Sequence, residues 1–285
     1  MPGGRGVPEG HSIRGAPEDE DGGGPVVVCD LDGVVWLSGE VLPGAAEAVA
    51  RLRAAGVHVA FLTNNSSQTV AGYVGDLERA GIPADPGDVL SSALAAARLL
   101  AQDLPAGARV LACSGPGVVE ALGSEGFEPV EEWPCEAVVV GWHRTFDYDR
   151  LARASAAVRN GARFVATNTD ATYPGTEGLL PGNGALVAAV ATAGGRRPEV
   201  AGKPEAPTVA MVRERLGDRG VVVGDRPSTD GALAEALGWP FALVVSEATL
   251  SADEGDDHKA AFVGPSLGAL VDGILGALAP SPADQ

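Results

Sequence analysis

An α/β fold built on parallel strands is predicted by three features of the sequence. Short Val-rich runs recur along the chain, among them "VVVCD" from Val26, "AVVVG" from Ala137 and "GVVVG" from Gly220. These runs are continuous rather than alternating, which is the pattern of strands buried on both faces. Between them lie longer Ala- and Leu-rich stretches with apolar residues at helical spacing, and such alternation gives parallel pairing.

The elements follow in order. The first 24 residues are rich in Gly, Pro and acid, have no apolar period and lack the basic start and apolar middle of a signal peptide. They read as a disordered tail. "PVVVCD" predicts a strand and "GAAEAVARLRAAG" a helix that stops at Gly56; "VHVAFLTNN" predicts the next strand. "SSQTVAGYVGDLERAG" predicts a helix with Ser66 or Ser67 as its N-cap and Gly81 at its end. "RVLAC", "AVVVGW", "RFVATN", "GVVVGD" and "FALVVS" are further strands, most of them followed by an Ala-rich helix. "CSGPGVVEALG" does not satisfy the dinucleotide pattern G-x-G-x-x-G and reads as a strand–turn–helix corner. "SLGALVDGILGALA" closes the chain as an amphipathic helix over the sheet, with no basic face to suit a membrane surface.

Composition narrows the partners. At 285 residues there is room for one large domain or two smaller ones, and a 45% hydrophobic, 5% aromatic content means a core of Ala, Val and Leu. A formal charge of −18 argues against nucleic acid or an anionic membrane as the main partner. No apolar run reaches the roughly 20 residues that span a bilayer. Cys29, Cys113 and Cys135 show no paired spacing, so neither a disulfide framework nor a zinc site is expected. A reducing cytoplasm is the expected location.

In open parallel sheets, ligands bind beyond the carboxyl ends of the strands. Those ends carry Asp30 and Asp32, then Thr63, Asn64 and Asn65, then Asp225 with Thr229 and Asp230; Lys203 stands before the helical "APTVAMVRERLG". Positions i and i+2 of an extended chain face one side, so Asp30 and Asp32 can meet one ligand. Their repulsion is relieved by a hard divalent cation, with Asp225 adding a carboxylate, and this donor set suits Mg2+. Thr63, nearby backbone N–H groups and Lys203 supply what a phosphoryl group needs. Thr63 and Asn64 also suit a helix cap, which uses the same geometry. An Asp carboxylate can attack phosphorus while a second carboxyl group transfers the protons. Taken alone, D-x-D is more often a turn or a cation site. An EF-hand is excluded, because no third acid or Asn precedes Gly33 and no Glu closes the loop. Lys203 is one of only two lysines in an Arg-rich chain, and a compact ammonium suits a crowded phosphate.

"DLDGVVW", "FLTNNSS", "AGKPEAP" and "VVVGDRPSTDGA", in that order, resemble the motifs of the haloacid dehalogenase-like phosphatases. The similarity is to subclass IIA, which includes p-nitrophenyl phosphatase-like, phosphoglycolate phosphatase-like and pyridoxal phosphate phosphatase-like enzymes, and it runs from about Pro25 to Thr249. It implies a Rossmann-like core at residues 25–91 and 202–285 with an inserted α/β cap at 92–201. It also implies a Mg2+-dependent phosphatase of small phosphorylated metabolites, glycerol 3-phosphate or phosphoglycolate foremost, working through an aspartyl-phosphate. In the family's terms Asp30 is the nucleophile and Asp32 the acid/base. Thr63, Asn64 and Lys203 bind phosphate, with Lys203 also steadying Asp30. Asp30, the carbonyl of Asp32 and Asp225 hold the metal, and Asp230 supports its water or Lys203.

Two further stretches, "VVVGWHRTFDYDRL" and "GARFVATNTDATYPGTEGLLPGNGALVAA", are similar to the family's cap. There Trp142 and His143 replace the more usual small residue and Asp, and His143, Asp170, Tyr173 and Asn183 are the specificity candidates. Gly231 after "TD" and the ending "VVSEATL" also depart from the family's pattern. Relatives often pair through their caps, so a homodimer is expected. Two alternatives stand beside hydrolysis: a phosphotransferase or mutase using the same aspartate, and a catalytically silent metabolite-binding relative.

Overall fold

The computed structural model of the chain describes residues 24–175, 178–245 and 260–279. The expected disordered tail lies outside these except for Gly24, as does most of "VVSEATL". Two parallel sheets carry the fold. The first has six strands, in the order Phe262–Gly264, Phe241–Val244, Gly220–Gly224, Val26–Cys29, His58–Thr63 and Val89–Ser91. Val26–Cys29 sits at its centre, with Val27 in register with Val221 on one side and Val59 on the other. That strand is buried along its whole length, as continuous Val runs require. The second sheet has five strands, in the order Glu199–Val200, Arg163–Ala166, Ala137–Val140, Arg109–Cys113 and Glu128–Val130, again all parallel.

Helices Ala45–Ala54 and Leu267–Leu278 pack on one face of the first sheet, where Val49, Leu52, Leu270 and Ile274 join Val27, Val59 and Val221 in one buried cluster. The closing helix therefore covers the sheet as its apolar period predicts, capped by the Ser266 side chain, which accepts from Ala269 N. On the other face, helix Ser92–Ala101 has a different position from a simple entry into an insert. Its Ala93, Ala96 and Leu100 belong to one continuous cluster that also holds Val28 and Leu62 of the first sheet and Val110 and Val139 of the second.

One expected boundary is corrected. The helix after the second strand runs Val70–Arg79, and its N-cap is Thr69, whose hydroxyl accepts from Gly72 N at 3.1 Å. Ser66 and Ser67 do not cap it. The Asn65 side chain instead draws in Ser67 N and Ser67 Oγ at 3.0 and 2.8 Å, a local turn that competes with helix. Ser66 turns to the other sheet, where its hydroxyl meets Thr167 Oγ1 at 3.0 Å. The corner at "CSGPG" forms as expected and starts helix Pro116–Ser124. It packs directly on this turn: a Cβ on Gly117 would lie 2.0 Å from Gln68 O.

Two antiparallel hairpins, not anticipated from the sequence, complete the architecture. Trp36–Leu37 pairs with Glu40–Val41, and Thr172–Gly175 with Gly178–Pro181. Their tips meet where Ser38 Oγ donates to Pro174 O at 3.3 Å. Among the described residues no helix is long and apolar enough to cross a membrane.

Candidate active site

The strand ends converge. Asp30 directly follows Val26–Cys29, and its N–H still donates to Val223 O at 2.8 Å, which fixes it beside the end of Gly220–Gly224 and hence Asp225. Thr63 ends the neighbouring strand on the other side. Lys203, before helix Ala206–Leu216, reaches in from the loop: Nζ donates to Asp30 Oδ1 at 2.8 Å, to Asp230 Oδ1 at 2.7 Å and to Leu62 O at 3.2 Å. Its side chain is 3% exposed. Those three bonds use every proton of the ammonium, so Lys203 offers a bound phosphoryl group charge rather than a spare donor.

Burial governs the electrostatics. Desolvation raises the Asp30 carboxyl well above the usual carboxylate range against the pull of Lys203, and Asp230, Asp225 and Asp32 add to the rise. Desolvation and Asp230 push Asp225 up to about 7. Burial alone would lower Lys203, but Asp230 and Asp30 outweigh it and keep the ammonium charged. Asp32 opens onto the cavity while protein surrounds it further out; this partial desolvation raises its carboxyl, and Trp36 Nε1, donating to Asp32 Oδ1 at 3.2 Å, opposes the rise. A raised carboxyl is what a proton-transferring group requires.

A cation fits this arrangement. Single carboxylate oxygens of Asp30, Asp225 and Asp230 lie within 4.8 Å of one another. Both Asp230 oxygens are committed, Oδ1 to Lys203 and Oδ2 to Arg226 N at 3.2 Å, so Asp230 suits the supporting position and Asp30 and Asp225 the ligating ones. Gly33, at φ +86°, lets the backbone pass over this group, because a Cβ there would lie 2.1 Å from Asp225 Oδ2.

Thr63 Oγ1 accepts from Asn65 N at 3.0 Å, which leaves its O–H to donate into the cavity it lines. Asn64 differs from expectation. Its side chain is spent on structure: Oδ1 accepts from Lys203 N at 2.8 Å, and Nδ2 donates to Lys203 O at 3.2 Å and Asp170 Oδ2 at 3.3 Å. Its carbonyl takes Asn168 Nδ2 and Ser92 Oγ, both at 2.6 Å. Asn64 therefore ties the Lys203 loop and the strand ends of the second sheet to the site, and its amide has no donor left for phosphate.

The cavity, about 670 Å³, lies between the two sheets, with Asp30, Thr63 and Lys203 on one wall and Trp142, Asp170 and Tyr173 on another. Trp142 stands edge-on to Tyr173 at 4.9 Å, and its Nε1 donates to Pro181 O at 3.1 Å, fixing the hairpin over the site. Asn183 lines the cavity too, with its amide turned to Asn168 O, Thr167 Oγ1 and Val140 O at 2.8–3.2 Å. His143 is corrected. Its neighbours Trp142 and Arg144 line the cavity, while His143 is buried behind them, Nδ1 donating to Gly141 O at 2.8 Å and its ring edge-on to Phe146. Burial lowers its pKa, which favours the neutral ring. Sequence reasoning missed Arg226 and Asn168. Arg226 adjoins Asp225 at a strand end, and that position was the available signal.

The family described as haloacid dehalogenase-like hydrolase matches residues 27–128, and one described as HAD-hydrolase-like matches residues 200–270. A D-glycerol 3-phosphate phosphatase of Mycobacterium tuberculosis is 37% identical over 268 residues, 91% of this chain and 74% of that protein. The chain is a haloacid dehalogenase-like hydrolase. Other similar proteins are also named phosphatases. An acid sugar phosphatase of Staphylococcus saprophyticus is 36% identical across 70% of this hydrolase and 78% of its own length. The crystal structure of a glycerol phosphate phosphatase from M. tuberculosis in complex with magnesium superposes with a TM-score of 0.79 at 35% identity, covering 91% of this chain and 80% of that one. A p-nitrophenyl phosphatase from Archaeoglobus fulgidus gives 0.80 at 29% identity, covering 88% and 99%.

Proposed function

We propose that the chain is a magnesium-dependent phosphatase that hydrolyses small phosphate monoesters through a phosphoaspartate on Asp30. The observation that carries this is the Lys203 ammonium bridging Asp30 and Asp230 at 2.8 and 2.7 Å beside Asp225. An Asp30 oxygen attacks phosphorus and the bond to the leaving oxygen breaks, with Asp32 giving that oxygen its proton. Asp32 then takes a proton from water, whose oxygen attacks the same phosphorus and frees both phosphate and the Asp30 carboxylate. Lys203 balances the phosphoryl charge, and the Thr63 hydroxyl donates to a phosphoryl oxygen. Magnesium, held by Asp30, the Asp32 carbonyl and Asp225, neutralises charge on the transferring group when bound.

Residues 92–201 act as a cap that limits access and excludes water, and glycerol 3-phosphate and phosphoglycolate are the first substrates to test. The buried thiols Cys29, Cys113 and Cys135 suit a reducing cytoplasm, and a cap-mediated homodimer is tested by light scattering. The deciding experiment measures phosphate release from p-nitrophenyl phosphate with water as the sole acceptor. Turnover with Mg2+ and none in EDTA supports the reading; release that needs an added alcohol would point to phosphotransfer.

The ion should also compete with protons. Asp225, pushed up to about 7, holds a proton that Mg2+ must displace, so affinity falls as pH falls. With one such group, the apparent Kd for Mg2+ is expected about tenfold weaker at pH 6 than at pH 8. Stability follows the same sign. Below pH 7 folded Asp225 keeps a proton that an unfolded carboxyl, at 3.8, has lost, so this group lowers ion-free stability as pH rises from 3.8 to 7. The rise in Tm on adding Mg2+ should therefore be larger at pH 8. Calorimetric titrations giving one Kd at both pH values would refute this assignment.

A further inference from the structure

Most polar groups facing the cavity are already committed: Lys203 has placed its three protons and the Asn64 amide its two. Arg226 is different. It lines the cavity half-buried, and among the described residues only its backbone N–H is bonded, to Asp230 Oδ2 at 3.2 Å. A guanidinium carries five donors in a fixed plane, and enclosed donors require acceptors.

Asp170, on the second sheet's side of the same cavity, is the complementary group. Its Oδ2 accepts from Asn64 Nδ2 at 3.3 Å and its backbone N–H donates to Asn168 Oδ1 at 3.1 Å, so it is oriented from both halves of the structure while Oδ1 remains open. The two charges act on each other. Burial raises the Asp170 carboxyl and Arg226 opposes it most; burial disfavours the guanidinium and Asp225, then Asp170, hold it charged. Yet no direct ion pair joins them among the described residues, so a ligand can stand between.

A carboxylate beside a guanidinium, each with unused capacity, suits one kind of group. A hydroxyl donates to the first and accepts from the second. A leaving group with its own carboxylate would satisfy Arg226 but confront Asp170 with like charge. We propose that Asp170 and Arg226 form the leaving-group subsite and select phosphate monoesters whose organic part is a neutral polyol over those bearing a carboxylate. This rests on the phosphatase reading above and separates two substrates which that reading leaves level.

The test compares kcat/KM for glycerol 3-phosphate and 2-phosphoglycolate, with Mg2+ present, in the wild-type enzyme, Asp170→Asn and Arg226→Gln. Wild type should prefer glycerol 3-phosphate by about tenfold or more. Asp170→Asn keeps an acceptor for Asn64 and removes the negative charge, so its preference should fall at least about tenfold, with an absolute gain on phosphoglycolate that no folding defect can produce. Arg226→Gln should shift the ratio the other way. Equal wild-type rates, a ratio unmoved in Asp170→Asn, or equal losses on both substrates in Arg226→Gln would each overturn the subsite. If p-nitrophenyl phosphate is still hydrolysed in those cases, only this inference fails; if nothing is hydrolysed, the phosphatase reading fails with it.

Discussion

Replacing Asp30 by Asn is expected to lower kcat for every phosphate monoester by about 10⁴-fold or more, in line with loss of other catalytic nucleophiles. The substitution keeps the shape and an oxygen able to accept from Lys203 Nζ, now 2.8 Å from Asp30 Oδ1, so folding should persist. What disappears is the negative oxygen that forms the bond to phosphorus. Asp32→Asn supplies the contrast. It removes proton transfer, generally a loss of about 10²–10⁴-fold, and the cost should be greatest for alkyl phosphates. p-Nitrophenyl phosphate leaves as a stabilised phenolate that scarcely needs a proton, so its loss should be much smaller. Stopped-flow measurement of nitrophenolate, with phosphate release from glycerol 3-phosphate beside it, reads both. Wild-type turnover in Asp30→Asn would end the covalent mechanism.

The catalytic rim was legible in the sequence because strand ends are local features. Asp30, Thr63 and Asp225 each follow or close a Val-rich or aliphatic run, and parallel pairing must bring such ends to one edge. What was hidden depends on partners far along the chain. Asn64 looked like a phosphate ligand, but its carbonyl is met by Asn168, 104 residues away, and its amide by Asp170, 106 away. Spacing within "TNNSS" cannot reveal that. The cap at Thr69 was misplaced for a similar reason: Ser66 is drawn to Thr167, and the Asn65 side chain claims Ser67. His143 failed on orientation, since a one-residue change of phase decides whether Trp142 and Arg144 or His143 faces the ligand. Helix Ser92–Ala101 shows the limit of domain reading from motifs, because its apolar face serves both sheets at once.

Lys203→Ala should harm stability and catalysis together, through different halves of the same contact. In the folded protein the ammonium is almost fully enclosed and neutralises two carboxylates, Asp30 and Asp230, themselves 10% and 1% exposed. Removing one partner of a buried ion pair leaves uncompensated charge and typically costs about 3–5 kcal/mol. At about 2–4 °C per kcal/mol for a chain of this class, Tm should fall by about 6 °C or more. Two compensations act against this. Asp30, already raised by burial, can take up a proton, and Mg2+ can supply the missing positive charge. The drop in Tm should therefore shrink at lower pH and on adding Mg2+, whereas an ordinary cavity would respond to neither. Activity should still fall by about 10²–10³-fold with the ion present, because the charge that balances the phosphoryl group is gone. Lys203→Arg should not restore it, since a planar fork cannot direct donors at Asp30, Asp230 and the Leu62 carbonyl from one small centre. Calorimetry at pH 6 and 8, with and without Mg2+, separates a lost charge from a lost volume. A Tm loss of equal size under all four conditions would mean that Lys203 acts by filling space.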